Sequence, residues 1–113
     1  MKESPIFTRT YDLLCWLIPM TVKFPRQQRF VLATAVQQKA LLFQERLIEA
    51  GRDPEPTPIL RAADTELQKL RLYLRLCHDL KLMSIGQYEH VTRMVSEVGR
   101  LLNAWRKKAE ATV

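Results

Sequence analysis

Glycine is scarce in this chain, three in 113 residues, and no apolar stretch approaches the roughly 20 residues of a membrane-spanning helix. Alternation of apolar and polar residues is nowhere sustained, which removes β architectures. The two cysteines, Cys15 and Cys77, are too few and too far apart for a disulfide scaffold, and they read as buried thiols in a reducing compartment. There is no C-x-x-C, no H-E-x-x-H and no Glu-x-x-His pair, and His78 and His90 stand twelve residues apart. Zinc and di-iron sites therefore lack their ligand patterns. His78 beside Asp79 is a poor acid–base pair, because adjacent residues on a helix face different ways. The apolar run at 13–18 is too short for a secretory signal, and no small-residue cleavage site follows it. These absences predict a soluble, cytoplasmic, non-catalytic protein without cofactor, metal or small-molecule substrate.

What remains is apolar and basic. A hydrophobic content of 47% excludes an intrinsically disordered chain, and 113 residues suffice for one domain, 1–113, with a real core. Eighteen Lys and Arg against twelve Asp and Glu leave a net charge of +6. That excess favours anionic partners such as nucleic acid or an acidic protein face. It is spread along the chain, with eight cations and six anions in 1–57 and ten and six in 58–113.

The periodicity is helical throughout. Ser4 as N-cap and Pro5 at the first helical position open a short helix to about Ile18, with Phe7, Tyr11, Leu14 and Ile18 as its inward stripe. Pro19 and Pro25 bracket a connector. A second helix is expected over 26–50 with Gly51 as C-cap and an apolar arc of Phe30, Ala33, Val36, Ala40, Leu41, Phe43, Leu47 and Ile48. The run RDPEPTP, 52–58, cannot continue it and forms the main loop. Pro58 opens a third helix to about Leu82. Ser84 with Gln87 fits a capping box at the start of the fourth, flanked by Met83 and Tyr88 as a hydrophobic staple. Three helices of about 25 residues, each roughly 37 Å long, predict an all-α, antiparallel up-down-up-down four-helix bundle with a shorter first helix.

Two helices carry a second pattern. The third has an inner stripe, Ala63, Leu67, Leu70, Leu74 and Cys77, and another on roughly the opposite side, Leu72, Tyr73, Leu76 and Leu80. That second stripe is either covered by the first helix or shared with another copy, which makes it the candidate oligomer interface. The fourth helix turns Val91, Met94, Val95, Val98, Leu101, Leu102 and Trp105 to one side, and Arg93, Arg100 and Lys107 to the other at spacings of seven. Arg71 and Arg75 lie four apart on the third helix. Lys39 and Arg46 lie seven apart on the second, whose first turn holds Arg26 and Arg29 against the preference of the helix dipole for anions. The bland reading has these cations neutralised locally, Arg93 by Glu89 and Arg100 by Glu97. The alternative is a surface for a polymer of phosphates, which rewards several modest cations collectively. Gly99 costs its helix about 1 kcal/mol relative to Ala, so a close approach or a bend is expected there.

Four blocks together carry a resemblance: YDLLCWLIP (11–19), KFPRQQRF (23–30), KLRLYLRLCHDLKLMSIGQYEH (69–90) and SEVGRLLNAW (96–105). In order and spacing they resemble the accessory variability determinant proteins, Avd, of diversity-generating retroelements. Those belong to a wider four-helix-bundle family that includes proteins encoded in ribosomal RNA intervening sequences. The resemblance covers nearly the whole chain, least at 54–58, and its motifs are core-forming, so it defines fold better than activity. It implies a homopentameric barrel that binds a reverse transcriptase and RNA or DNA in support of mutagenic cDNA synthesis, with no catalytic centre of its own. Under that implication the nucleic-acid contacts are Arg26, Arg29, Arg71, Arg75, Arg93, Arg100 and Lys107, and the oligomer interface is Leu72, Tyr73, Leu76 and Leu80. The other expectation is a structural, RNA-associated bundle of the intervening-sequence type. One departure from the family pattern is Asn103-Ala104, where many relatives carry a small Gly-rich pair, so looser packing is expected near Trp105.

Overall fold

The computed structural model describes residues 4–111. Helix α1 spans Pro5–Val22 and helix α2 residues 26–51; helix α3 spans Thr57–Asp79 and helix α4 Ile85–Ala111. Among the described residues there is no strand. Each helix packs on its two neighbours in the cyclic order α1, α2, α3, α4. Cross-helix pairs fix their directions. Arg9 meets Glu97 and Trp16 meets His90, while Asp64 meets Arg106 and His78 stacks on Tyr88. Both sets run in opposite sequence directions, so α4 lies antiparallel to α1 and to α3. Gln37 reaching Thr21 near one end, and Phe7 lying by Gly51 at the other, make α1 and α2 antiparallel as well. The result is a four-helix bundle measuring 47 × 24 × 23 Å.

The core is a single, mainly aliphatic seam that also holds the fully buried Phe43 of α2. From α3 it takes Leu60, Ala63, Leu67, Leu70, Leu74 and Cys77, and from α4 Val91, Val95, Val98 and Leu102, all buried. Met94, Leu101 and Trp105 line its edge, half-buried. Trp105 sits beside Phe7 with ring centroids 6.0 Å apart, so its ring is a rim contact rather than a core one.

Helix α1 departs from expectation in three ways. It continues through Pro19 to Val22, and Ser4 makes no side-chain cap. Its buried face is Ile6, Thr10, Leu13, Leu17 and Thr21, one residue out of step with the expected stripe, and Tyr11 stands exposed. The last turn is held from both sides: the Thr21 hydroxyl donates to the Ile18 carbonyl (3.0 Å) and accepts from Gln37 Nε2 (2.9 Å). That anchor keeps the turn helical beyond a proline that would otherwise end it.

Helix α2 contains a widened π turn at Arg29–Ala33 between the α-helical segments Arg26–Gln28 and Thr34–Gly51. The Arg29 carbonyl accepts both the Thr34 amide and the Thr34 hydroxyl, the latter at 3.0 Å. Such a turn breaks the 3.6-residue register. Leu32 and Ala33 therefore face inward together, while Phe30, expected in the core, is 79% exposed. Leu41 and Ile48 are also largely outside. Gly51 ends the helix without a positive φ, so it is not a left-handed cap.

Helix α3 stops at Asp79, short of Leu82, because Lys81 takes a left-handed conformation (φ 64°). The Lys81 amide donates to the His78 carbonyl and the Leu82 amide to the Cys77 carbonyl, each at 2.9 Å, the paired closing bonds of a left-handed C-cap. The following start matches expectation. Gln87 N–H donates to Ser84 Oγ (3.1 Å) and Ser84 N–H to Gln87 Oε1 (2.9 Å), and Met83 and Tyr88 pack on the core.

The two thiols differ, contrary to the shared burial expected of them. Cys77 is fully buried and Cys15 is exposed on α1. Burial disfavours the thiolate and pushes the Cys77 pKa up from 9.0 to about 11. A native sample at pH 8 should therefore alkylate at Cys15 alone, and Cys77 should react only after denaturation. Peptide mapping of the modified protein checks this, and rapid native labelling of Cys77 would contradict the packing.

Candidate nucleic-acid interface

Helix α4 owes its outward cations to its inward valines. With Val91, Val95, Val98 and Leu102 in the seam, Arg93, Arg100 and Lys107 are carried to the opposite side, and all three are exposed. The local neutralisation that spacing allows does not form. Glu97 leaves Arg100 and engages Arg9 of α1, with Oε1 3.0 Å from Nε. Glu89 pairs with nothing among the described residues. The ridge of α4 is thus a row of three cations with no ion-pair partner among the described residues.

Arg71 on α3 is a different kind of residue. It is half-buried in a narrow crevice of about 100 Å³ shared with Leu74, Tyr88, Thr92 and Val95, between α3 and α4. Its Nε is sealed from solvent without a hydrogen-bond partner, and no carboxylate among the described residues pairs with it. Gly99 provides the room. A Cβ there would lie 2.7 Å from Arg71 Nη2 and 3.7 Å from Leu67 Cδ2. The close approach expected at this glycine is therefore made by a guanidinium lying in a notch of α4.

The other cations divide. Arg75 faces Asp79 at 3.8 Å across a strongly exposed contact that contributes little and competes weakly with a ligand. Lys39 and Arg46 are committed. Lys39 sits with Lys69 around the nearly buried Glu66, at 3.4 and 3.6 Å, and Arg46 holds Glu49 at 2.8 Å. Arg26 and Arg29 are exposed at the start of α2, unpaired among the described residues and away from the α4 ridge. The seven expected contacts accordingly fall into two groups, one along α3 and α4 and one at the bundle end near the π turn.

At that same end two lysines join them that helical spacing does not single out. Lys23 and Lys81 line one crevice with Met20, Phe24, Pro25, Leu82 and Gln87. A signal for this end exists in the sequence: residues 13–44 hold Lys23, Arg26, Arg29 and Lys39 and no acidic residue at all. Of the expected oligomer residues, Leu72, Leu76 and Leu80 are exposed, Leu72 by 63%, and α1 does not cover them; Tyr73 instead packs partly on the core.

The chemistry on offer is electrostatic. A depression of about 610 Å³ lies at the opposite end among Ile6, Pro54, Pro56, Leu101 and Trp105, with Asp53 and Lys108 as its ionisable residues. Among the described residues no cluster of His, Cys, Asp or Glu could hold a metal ion, and no helix is long and apolar enough to cross a membrane.

These features define a small helical bundle with a basic, partly unpaired exterior, a class that many unrelated proteins share. The sequence narrows it: residues 6–109 match the bAvd-like family, and the chain belongs to that family. No curated protein sequence matches the chain.

The Arg71–Gly99 fit can be measured by a double-mutant cycle. In an Arg71→Ala background, Gly99→Ala should stabilise the protein by about 1 kcal/mol through helix propensity. In the presence of Arg71 the same change should gain less, because the guanidinium must leave its notch. Equal gains in both backgrounds, by urea denaturation, would show that the two residues do not meet.

Proposed function

We propose that this chain is a non-catalytic accessory protein of a diversity-generating retroelement. In this reading it binds nucleic acid, template RNA or its cDNA, and the retroelement reverse transcriptase, in support of mutagenic reverse transcription. Membership of the bAvd-like family supports the setting. The observation that carries the binding activity is the row Arg93, Arg100 and Lys107, unpaired among the described residues, with the one acid spaced to neutralise Arg100, Glu97, drawn to Arg9 instead. Arg71 and Arg75 extend the row toward α3.

Cations that neutralise phosphates act additively and release counterions, so affinity falls steeply with salt. Arg93→Glu with Arg100→Glu should weaken RNA binding at least ten-fold at low salt. The slope of log affinity against log salt should become shallower by about 1 for each phosphate no longer neutralised. Thermal unfolding should change little, since both side chains are exposed. Fluorescence anisotropy titrations across a salt series test this, and an unchanged affinity and slope would remove both residues from the interface.

The protein acts as a homo-oligomer in this reading, a pentamer by its resemblance to Avd, with the uncovered Leu72, Leu76 and Leu80 at the subunit contact. Several copies around a ring would multiply modest cationic contacts into avidity. Sedimentation velocity at micromolar concentration should show an assembly for the wild type, and monomers of unchanged helicity for Leu72→Glu with Leu76→Glu. A wild type that sediments only as a monomer would end the oligomer proposal.

A further inference from the structure

The feature that the cationic ridge leaves unexplained is Phe30. An aromatic ring 79% exposed near the start of a helix loses the burial that would ordinarily justify it, and a distorted turn puts it there. The distortion is supported rather than accidental, since Thr34 donates twice to the Arg29 carbonyl across the widened turn. Such π turns concentrate at functional sites, where they re-aim side chains.

The surroundings specify the partner's chemistry. Phe30, Arg26, Arg29 and Thr34 line one depression of about 330 Å³. The two guanidinium groups have no carboxylate partner among the described residues, and the chain carries no acidic residue between Asp12 and Glu45. Lys23 and Lys81 lie at the same end of the bundle. Lys81 is the one non-glycine residue with positive φ among those described, so a cation occupies a cap position that glycine fills with less strain. A second copy of this chain, itself at +6, would bring cations to cations here. What fits an exposed ring flanked by unpaired cations is a group with a flat face and an attached negative charge.

We propose that the π turn of α2 is a site for an unpaired nucleotide, with Phe30 stacking on the base and Arg26 and Arg29 holding the adjoining phosphates. The inference rests on the nucleic-acid reading above and adds a preference to it. Bases are available for stacking in a single strand and closed off in a duplex, so this end selects single-stranded regions. Stacking tolerates any base, so the site selects strandedness and not sequence. The α4 ridge, a row of cations on a helix without an exposed Phe, Tyr or Trp, does not discriminate in this way.

The test compares a fluorescein-labelled single-stranded RNA of about 16 nucleotides with a blunt duplex of the same sequence, titrated with the full chain. Phe30→Ala should weaken single-strand binding by roughly 5- to 150-fold, the range that removal of one stacking ring gives, and leave duplex binding within about two-fold. Phe30→Trp and Phe30→Tyr should retain single-strand affinity. Phe30→Leu, apolar without a π face, should weaken it as Phe30→Ala does. Arg26→Gln with Arg29→Gln should weaken single-strand binding and flatten its salt dependence. Because Phe30 is exposed, all the ring variants should keep the wild-type unfolding temperature. If Phe30→Ala leaves single-strand affinity unchanged while the wild type binds RNA, the site is overturned and the α4 reading stands. If Phe30→Leu binds single-stranded RNA as well as the wild type, stacking is overturned, because an apolar contact without a π face then suffices. If Phe30→Ala lowers the sedimentation coefficient and spares RNA binding, the ring belongs to a subunit interface and the proposal fails. A wild type that binds neither RNA overturns the broader reading itself.

Discussion

The rotation of each helix about its own axis is set by which side chains enter the shared seam, and the exterior follows from that rotation. Val91, Val95, Val98 and Leu102 leave α4 one orientation, and Arg93, Arg100 and Lys107 are then outward by geometry. Ala63, Leu67, Leu70, Leu74 and Cys77 do the same for α3, turning Leu72 and Leu76 to solvent. Buried aliphatic side chains of this size each contribute about 1.5–3 kcal/mol. A rotation that moved one cation inward would expose several of them together, so the basic face is as firmly determined as the core.

Legibility follows how purely apolar each inner face is. On α3 and α4 the seam residues are aliphatic at helical spacing, so pattern and structure agree, down to the reciprocal bonds of Ser84 and Gln87. On α1 the true seam includes Thr10 and Thr21, whereas Phe7, Tyr11, Leu14 and Ile18 form a more apolar stripe one position away. The more hydrophobic stripe is the wrong one because Thr21 finds a partner in Gln37, a long-range fact that no local period contains. Phe30 escapes the periodic pattern for a related reason: the register of α2 changes at a π turn whose support comes from a threonine hydroxyl.

The candidate interface is legible in its composition and less so in its electrostatics. Spacing permits Glu97 to neutralise Arg100, yet Glu97 stands on the flank of α4 that meets α1 and finds Arg9 there. Spacing also makes Lys39 resemble the other free cations, although Glu66 on the neighbouring helix holds it. Which cation stays unpaired depends on contacts between helices, and those exist only after folding. The acid-free interval from residue 13 to residue 44 is the one regional signal visible without a structure, and it points to the end of the bundle where the π turn lies.

The unbroken span of α4, Ile85–Ala111, gives its exterior a metric. Arg93, Arg100 and Lys107 repeat every seven residues, so successive charges stand about 10.5 Å apart along the axis. A nucleic-acid strand advances about 3.4 Å per nucleotide in a B-form helix. A strand of that rise laid along α4 would therefore meet one cation for roughly every third phosphate, and one subunit would span roughly six nucleotides between its first and last charge. Such a sparse ruler would grip lightly and, touching phosphates alone, would read no bases.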